Sequence, residues 1–336
     1  MWILTPGDIV CLRRRCEVGA RLSSLLTLHH ACASNSAQEK NMADLLVFGR
    51  SGQLARALAH TNVCGNLSSE FIGRDAMDLA RLEALEDMIE AHAPTLVINA
   101  AAYTAVDKAE SEPDLAAALN HLAPAAMARV CAKLGAAFVH VSTDYVFGGG
   151  EPGAYRECDP RTPINVYGTT KAAGEDAVLA SGARSAIVRT SWVYSAGDGN
   201  FVSTMLRLAH SRSEIGVVAD QIGRPTWAND LARACLTLGR LAAEGQSIGV
   251  VHYAGGGEPV SWADFATEIF ACAKAHDLPH ANVNRITTAD YPTPARRPAN
   301  SVLDIQRYAD ITGQTPRAWR EALELCMGES AQRQPS

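Results

Sequence analysis

From residue 44 onward, short runs of apolar residues alternate with longer segments that are amphipathic or rich in alanine. The runs predict strands at 44–48, 69–72, 95–99, 136–141 and 185–189, and the longer segments predict helices at 52–60, 79–91, 114–134 and 167–181. Leu96-Val97-Ile98 and Phe138-Val139-His140-Val141 are nearly continuous in apolar character, as expected of strands covered on both faces. The fold class is therefore α/β, with a doubly wound parallel sheet. After about residue 190 the rhythm loosens and predicts a helix at 200–210, a strand at 214–218, a helix at 228–242, a strand near 249–253, a helix at 261–275 and a last helix at 316–326. Pro279, Pro292, Pro294 and Pro298 make 277–300 a loop region without a long element.

Residues 1–42 lack this rhythm and contain Arg13-Arg14-Arg15 and three of the nine cysteines. Met42, followed by Ala43-Asp44 and the run Leu45-Leu46-Val47-Phe48, reads as the natural beginning of the fold. The first 42 residues are taken as an extension, either disordered or the product of a translation start placed too far upstream. An export signal needs an apolar stretch directly after its basic residues, whereas Arg14-Arg15 lead into Cys16-Glu17. An organellar presequence stays open, since the stretch contains arginine and serine and only three acids.

Composition narrows the class. Apolar residues make up 47% and charged residues 20%, values of an ordinary globular chain, not a fibrous or disordered one. The net charge of −6 offers no broad footprint for nucleic acid or an anionic membrane, and no window approaches the ~18 consecutive apolar residues of a membrane span. The nine cysteines are scattered, without CxxC pairs or Cys/His clusters, so reduced thiols in a cytoplasmic protein are expected.

Three motifs carry chemistry. Gly49-Arg50-Ser51-Gly52-Gln53-Leu54-Ala55 follows the first strand and opens a helix, so small residues there would let a helix N-terminus approach a pyrophosphate. A tight strand-to-helix turn would use the same glycines for geometry alone. Tyr167-Gly168-Thr169-Thr170-Lys171 sets a phenol and an ammonium on one helix face. A free phenol, with a pKa of about 10, is a poor acid–base group at neutral pH, and a neighbouring cation lowers it. Val141-Ser142-Thr143-Asp144-Tyr145-Val146-Phe147-Gly148 lies at the C-terminal end of a predicted strand, where ligands of open α/β sheets gather and a hydroxyl can bond a carbonyl oxygen under hydride attack. Its plain alternative is a Ser/Thr or Asx turn. The histidines do not cluster, and none is assigned to catalysis.

In this order the three motifs resemble the extended short-chain dehydrogenase/reductase superfamily. Asn99 to Glu110 (NAAAYTAVDKAE), the STDYVF run, Ser191-Trp192-Val193-Tyr194, Asn200-Phe201 and Asp220-Gln221-Ile222-Gly223-Arg224-Pro225-Thr226 narrow the resemblance to the dTDP-4-dehydrorhamnose reductase family, from residue 43 to about 325. The resemblance implies NADPH, with NADH as an alternative, and reduction of the C4 ketone of a dTDP-linked ketosugar. It implies Tyr167 as proton donor, Lys171 as its electrostatic partner and ribose anchor, and Thr143 as the hydroxyl on the C4 oxygen. Asp144, Tyr145, Trp192, Asn200, Phe201 and Arg224 would lie along the sugar nucleotide, and Gly49, Ser51, Gly52, Gln53, Leu54, Asn99, Ala100, Ala101 and Tyr103 along the cofactor.

Arg74 could meet a 2′-phosphate, Asp75 could accept from a 2′-hydroxyl, and Asp78-Leu79 resembles the adenine-side pair of the superfamily. Duller readings stand beside these: Trp192 as core, Asn200 as a helix N-cap, Arg224 as a solvated loop charge. Some members of the family hold Mg²⁺ through a Glu of the first helix, where this chain has Arg56-Ala57-Leu58, so no metal is expected.

The implied architecture is a Rossmann-type NAD(P)-binding core of 43–193 plus about 220–256, with a smaller α/β C-terminal substrate lobe of 194–219 plus 257–328. A homodimer is left open. A sugar-nucleotide epimerase or dehydratase shares the Tyr/Lys pair, although dehydratases usually carry Thr-Asp-Glu where Tyr145 follows Thr143-Asp144. The family also resembles the non-catalytic regulatory subunit of methionine adenosyltransferase. Retention of Thr143, Tyr167 and Lys171 favours catalysis.

Overall fold

The computed structural model describes residues 44–60, 67–197 and 199–332. The reading of residues 1–42 as an extension lies outside the described residues. In chain order the strands are β1 (Leu45–Phe48), β2 (Ser69–Ile72), β3 (Leu96–Asn99), β4 (Ala137–Thr143), β5 (Arg184–Thr190), β6 (Val193–Tyr194), β7 (Glu214–Val218), β8 (Ile222–Gly223), β9 (Thr226–Trp227), β10 (Gly249–His252), β11 (Val260–Ser261) and β12 (Asn282–Ile286). The helices are α1 (Gln53–His60), α2 (Leu82–His92), α3 (Val106–Ala109), α4 (Pro113–Ala117), α5 (Ala123–Leu134), α6 (Val166–Ala180), α7 (Phe201–Ala209), α8 (Ala228–Ala243), α9 (Trp262–Ala275), α10 (Gln306–Thr312) and α11 (Trp319–Gln332).

Six strands form one parallel sheet in the order β10-β5-β4-β3-β1-β2. The order reverses at β1, which puts β2 on one side and β3 on the other, and the crevice beyond the strand C-termini at such a reversal is where ligands bind. Alternate residues of each strand bury on opposite faces. Leu45, Val47, Ile98, Val139 and Val188 pack with α1 and α8, while Leu46, Phe48, Val97, Phe138 and Ile187 pack with α2, α5 and α6.

A second core joins Tyr194, Trp227, Phe265, Ile269 and Trp319, drawn from β6, β9, α9 and α11. The small strands serve it: β7 pairs with β12, β8 with β11 and β6 with β9.

The expectation of a loop over 277–300 needs correction, because β12 lies inside it. Pro279 and Pro292 fall outside the strand, leaving Asn282–Ile286 free to pair with Glu214–Val218 over five registers. Helix α10 was also not anticipated; Tyr308 is its one buried residue, too little to create a period.

The predicted helix 114–134 is α4 and α5 joined through a π-helical turn, Ala118–Leu122. Pro113–Leu134 is long and apolar enough to cross a membrane by length and composition. Half of its apolar window is buried, and Ala123, Ala126, Met127 and Val130 lie in the core against α2 and the sheet. The π-turn faces Gly174 of α6, where a Cβ would come within 2.2 Å of the Asn120 carbonyl oxygen.

A row of polar side chains crosses the sheet beneath α6. Ser142, Arg189 and His252 are in register on β4, β5 and β10. Arg189 donates to both carboxylate oxygens of the buried Glu175 on α6, at 2.9 and 2.7 Å. Ser142 Oγ and Arg161 Nη1 donate to the same carboxylate at 2.5 and 3.2 Å. His252 Nδ1 lies 3.1 Å from the Tyr155 carbonyl oxygen and must carry the proton there, so Nε2 accepts from Arg189 Nη1 at 3.3 Å.

Two predictions follow from this packing. Gly→Ala inside a helix ordinarily stabilises, but Gly174→Ala is expected to cost about 1–3 kcal/mol, seen as a lowered urea midpoint, because α6 must lift off the π-turn. Burial, and then Arg189, hold His252 at about 3. Between that value and the ordinary ~6.5, the unfolded chain binds a proton that the folded chain refuses, so stability falls as pH drops through this window. Urea midpoints between neutral and mildly acidic pH should show the decline, and His252→Gln should reduce its slope.

Candidate active site

The turn between β1 and α1 brings the first motif to the crevice. Gly49 has φ +120° and its amide donates to the Ile72 carbonyl at 2.9 Å, while a Cβ there would lie 3.3 Å from the Ala100 backbone. Only a glycine holds this backbone beside 100–101 without strain. Ser51 and Gly52 are exposed at the start of α1, whose first turn carries no acidic residue, so its free amides and dipole suit an anion.

The other residues of the motif are spent on structure. Leu54 is buried in the core. Gln53 reaches across to the segment after β5, donating to the Val193 carbonyl at 3.2 Å and accepting from Ser195 Oγ at 3.0 Å. After β2, Arg74 and Asp78 are exposed, Leu79 packs against the core, and Asp75 pairs with Arg50 at 3.1 Å. Asp78 accepts from the Ala80 amide at 3.0 Å, closing its own turn.

Thr143, Asp144, Tyr145, Tyr167 and Lys171 converge where β4 ends and α6 begins. Thr143 Oγ1 donates to Asp144 Oδ1 at 2.9 Å and accepts from the Tyr145 amide at 3.2 Å, so the Ser/Thr turn is present as well as the hydroxyl. Asn165 caps α6 by accepting from the Gly168 amide at 2.7 Å, which fixes where Tyr167 and Lys171 start their helix. The Tyr145 and Tyr167 rings meet edge to face at 5.7 Å. Burial pushes the Tyr167 hydroxyl up to about 12, against a hydrogen bond with Thr143. Burial also raises Asp144 to about 6 and lowers Lys171 to about 8, the latter opposed by Glu175. Lys171 Nζ donates to the Val141 carbonyl at 2.6 Å and lies 3.3 Å from His140 Nε2.

Several expected side chains are already hydrogen-bonded within the fold. Asn99 is buried and accepts from the Ala101 amide at 3.1 Å, with its amide nitrogen 3.2 Å from His140 Nδ1. That leaves the backbone of Ala100 and Ala101 as the lining of the turn. The Tyr103 hydroxyl donates to Glu112 at 2.6 Å. Asn200 is a helix N-cap: it accepts from the Ser203 amide at 3.1 Å and donates to the Ser195 and Gly197 carbonyls at 3.0 and 2.6 Å.

Trp192 sits at φ +49°, a left-handed conformation costly for a bulky residue, and stacks on Trp262 at 3.5 Å between ring centroids. Phe201 packs on the other ring of that pair, 4.6 Å from Trp262. Arg224 is half-buried, with its Nε buried and without a hydrogen-bond partner, and burial lowers its proton affinity. A buried unpaired guanidinium nitrogen is costly unless an anion meets it.

Sequence reasoning missed Asn120, His140, Trp262 and the Asp107–Arg297 pair. Asn120, within the π-turn, accepts from the Tyr103 amide at 2.9 Å and donates to the Tyr103 carbonyl at 3.1 Å and Thr170 Oγ1 at 3.2 Å. A lone amide in an alanine-rich helix and a lone histidine in an apolar strand were the available signals. Arg297 binds both oxygens of Asp107, at 3.0 and 2.8 Å, tying α3 to the segment 293–298. Among the described residues, no group of three or more His, Cys, Asp or Glu could hold a metal ion.

The family described as RmlD substrate binding domain matches residues 42–332. The dTDP-4-dehydrorhamnose reductase of Aggregatibacter actinomycetemcomitans is 42% identical over 290 residues, 84% of this chain and 98% of that protein. The enzyme of the same name from Escherichia coli K12 is 37% identical over 298 residues, 85% of this chain and 97% of its own. Among solved structures, the Bacillus anthracis dTDP-4-dehydrorhamnose reductase in complex with NADP superposes with a TM-score of 0.78 at 34% identity, covering 85% of this chain and 99% of that one. A Thermus thermophilus UDP-glucose 4-epimerase, 18% identical with a TM-score of 0.69, shares the Rossmann-type fold. With matches of this extent along 42–332, the chain belongs to the dTDP-4-dehydrorhamnose reductase family.

Proposed function

We propose that this protein reduces the C4 ketone of dTDP-4-dehydro-L-rhamnose to the alcohol of dTDP-L-rhamnose with NADPH, NADH being a weaker alternative. The observation that carries the reading is the Thr143–Tyr167–Lys171 convergence at the C-terminal end of β4, in a chain of this family. The residues at the crevice fit a dinucleotide: a positive-φ glycine turn, an α1 N-terminus without acids, Arg50 within that turn and Arg74 beyond β2. NADPH, when bound, supplies the hydride that adds to the ketone carbon.

The protein's own part is to hold and move the proton. Thr143 is suited to bond the C4 oxygen, and Tyr167 to give its hydroxyl proton to that oxygen as the alcohol forms. The raised affinity of Tyr167 for its proton keeps the phenol intact at neutral pH, the form reduction consumes. Lys171 then stabilises the phenolate left behind until solvent restores its proton.

The unpaired Nε of Arg224 supports a diphosphate contact, and the strained Trp192 stacked on Trp262 supports an aromatic wall for the sugar nucleotide. We assign the lobe of 194–219 plus 257–328 to that substrate and 43–193 plus about 220–256 to the cofactor. Nothing in the charge pattern calls for nucleic acid, and unbridged cysteines, among them the buried Cys131 and Cys235 and the exposed Cys158, support a cytoplasmic site of action.

Turnover is read from loss of nicotinamide absorbance with enzymatically prepared dTDP-4-dehydro-L-rhamnose. Tyr167→Phe is expected to lower kcat about 10²–10⁴-fold while NADPH still binds. Retained turnover in this variant, or none in the wild type, would sink the assignment. Arg74→Ala is expected to raise KM for NADPH about 10-fold and leave KM for NADH nearly unchanged, since one charge-assisted contact to a 2′-phosphate is lost. Equal effects on the two cofactors would remove Arg74 from the 2′-position.

A further inference from the structure

His140 is fully buried on β4, in a strand otherwise of apolar and hydroxyl residues, and it touches polar groups on two sides. On one side is Asn99, its register partner on β3. The Ala101 amide donates to Asn99 Oδ1 at 3.1 Å, which fixes which end of that side chain is the oxygen. The amide nitrogen of Asn99 is therefore the group 3.2 Å from His140 Nδ1, and Nδ1 must accept. A neutral imidazole that accepts through Nδ1 carries its proton on Nε2. Burial, and then the charge of Lys171, hold His140 in the neutral form. Its Nε2–H thus points at Lys171 Nζ, 3.3 Å away.

We infer that His140 is a positioning residue for Lys171: with its tautomer locked by Asn99, it presents a hydrogen-bond donor to the amine nitrogen and so sets how readily Lys171 takes up its proton. The inference rests on the reductase reading for its place in the reaction, but the geometry behind it does not. An ammonium has three donors and no acceptor, so it cannot receive the Nε2–H, whereas the neutral amine can. Hydrogen bonding to the neutral form disfavours the charged one. The contrary influence comes from Glu175 on α6, whose own charge is shared with Arg189 on β5 and Arg161. His140 and Glu175 thus pull Lys171 in opposite directions from two elements, and binding of a dinucleotide meets an amine whose proton affinity is already lowered.

The other row across this sheet shows the opposite arrangement. His252 carries its proton on Nδ1 and offers Nε2 as an acceptor to Arg189. The two buried histidines therefore have opposite tautomers, each set by a neighbour that is not the cation.

The test reads NADPH affinity of the full-length protein by quenching of protein fluorescence across pH, in the wild type, His140→Phe and His140→Gln. Affinity of the wild type should weaken as pH rises through about 8, where Lys171 loses its proton. His140→Phe, which removes the donor, should move this midpoint up by about half a unit or more. His140→Gln, whose carbonyl can accept from Asn99 while its amide faces Nζ, should return it toward the wild type. An unmoved midpoint in the Phe variant, or an equal shift in both variants, overturns the inference. Should the Phe variant not fold, ¹⁵N-histidine spectra of the wild type decide, with the His140 signal assigned by its loss in the Gln variant. A neutral ring protonated on Nε2 across about pH 5–9 is expected, and an Nδ1-protonated or cationic ring overturns the proposal. Absence of ketosugar turnover with these binding results intact would sink the reductase reading alone.

Discussion

Burial of charge beneath α6 is the constraint on which the rest of this structure depends. Lys171 and Glu175 stand one helical turn apart and point into a sheet whose neighbouring positions are mostly Val, Ile and Phe. Neither could stay there alone, since an unpaired charge in such surroundings costs several kcal/mol. The sheet answers with polar groups at the few positions that meet the helix: the Val141 carbonyl accepts from Lys171 with His140 and Asn99 beside it, and Ser142, Arg189 and His252 stand toward Glu175. Because strand registers fix these residues side by side, the position of α6 is set to within hydrogen-bond tolerance, and with it the position of Tyr167.

The same need for closeness explains the π-turn. Packing α6 onto the helix at 113–134 requires a residue without a side chain at 174 and a backbone that bulges to bring Asn120 inward. Asn120 then clamps both the amide and carbonyl of Tyr103, so the loop after β3 is held against the helix that carries Tyr167. A π-turn inside an otherwise regular helix is a costly local choice, and here it connects the loop lining the dinucleotide crevice to the helix of the proposed acid.

Much of this was legible in the sequence because burial on both faces leaves a plain trace. The strands at 45–48, 96–99, 137–143 and 184–190 appear as apolar runs and their helices as the longer segments between them, whereas the edge strand 69–72, Ser-Glu-Phe-Ile, shows only its Phe71-Ile72 end. The half-exposed β12 and the short α10 left no such trace, since one buries little more than Val283 and the other Tyr308. In the site, Thr143, Tyr167 and Lys171 were readable as residue types at a spacing. What the spacing could not show is which side chains are already committed. Gln53, Leu54, Asn99 and Asn200 sit where the motifs put them, yet their side chains are already engaged in holding the scaffold. The supporting residues His140 and Asn120 were invisible for the converse reason: each is a single polar residue in an apolar segment, meaningful only once the strand registers and the π-turn bring a partner to it.

Burial moves the two titrating groups of the proposed pair toward neutrality, the phenol upward and the amine downward. An oxidation that had to begin from phenolate would work against this environment. A reduction does not, because it begins from the protonated phenol and creates the phenolate only as the ketone oxygen takes its proton. The cost then falls on the product side, where a negative charge appears on Tyr167 in a poorly solvated place. An ammonium one helical turn away is what makes that charge tolerable, so the protonation of Lys171 matters most at the moment after proton transfer. A lysine whose proton affinity burial has lowered can supply that charge and lose it again across a smaller gap than a fully solvated lysine, with a pKa of about 10.4, would face near neutral pH.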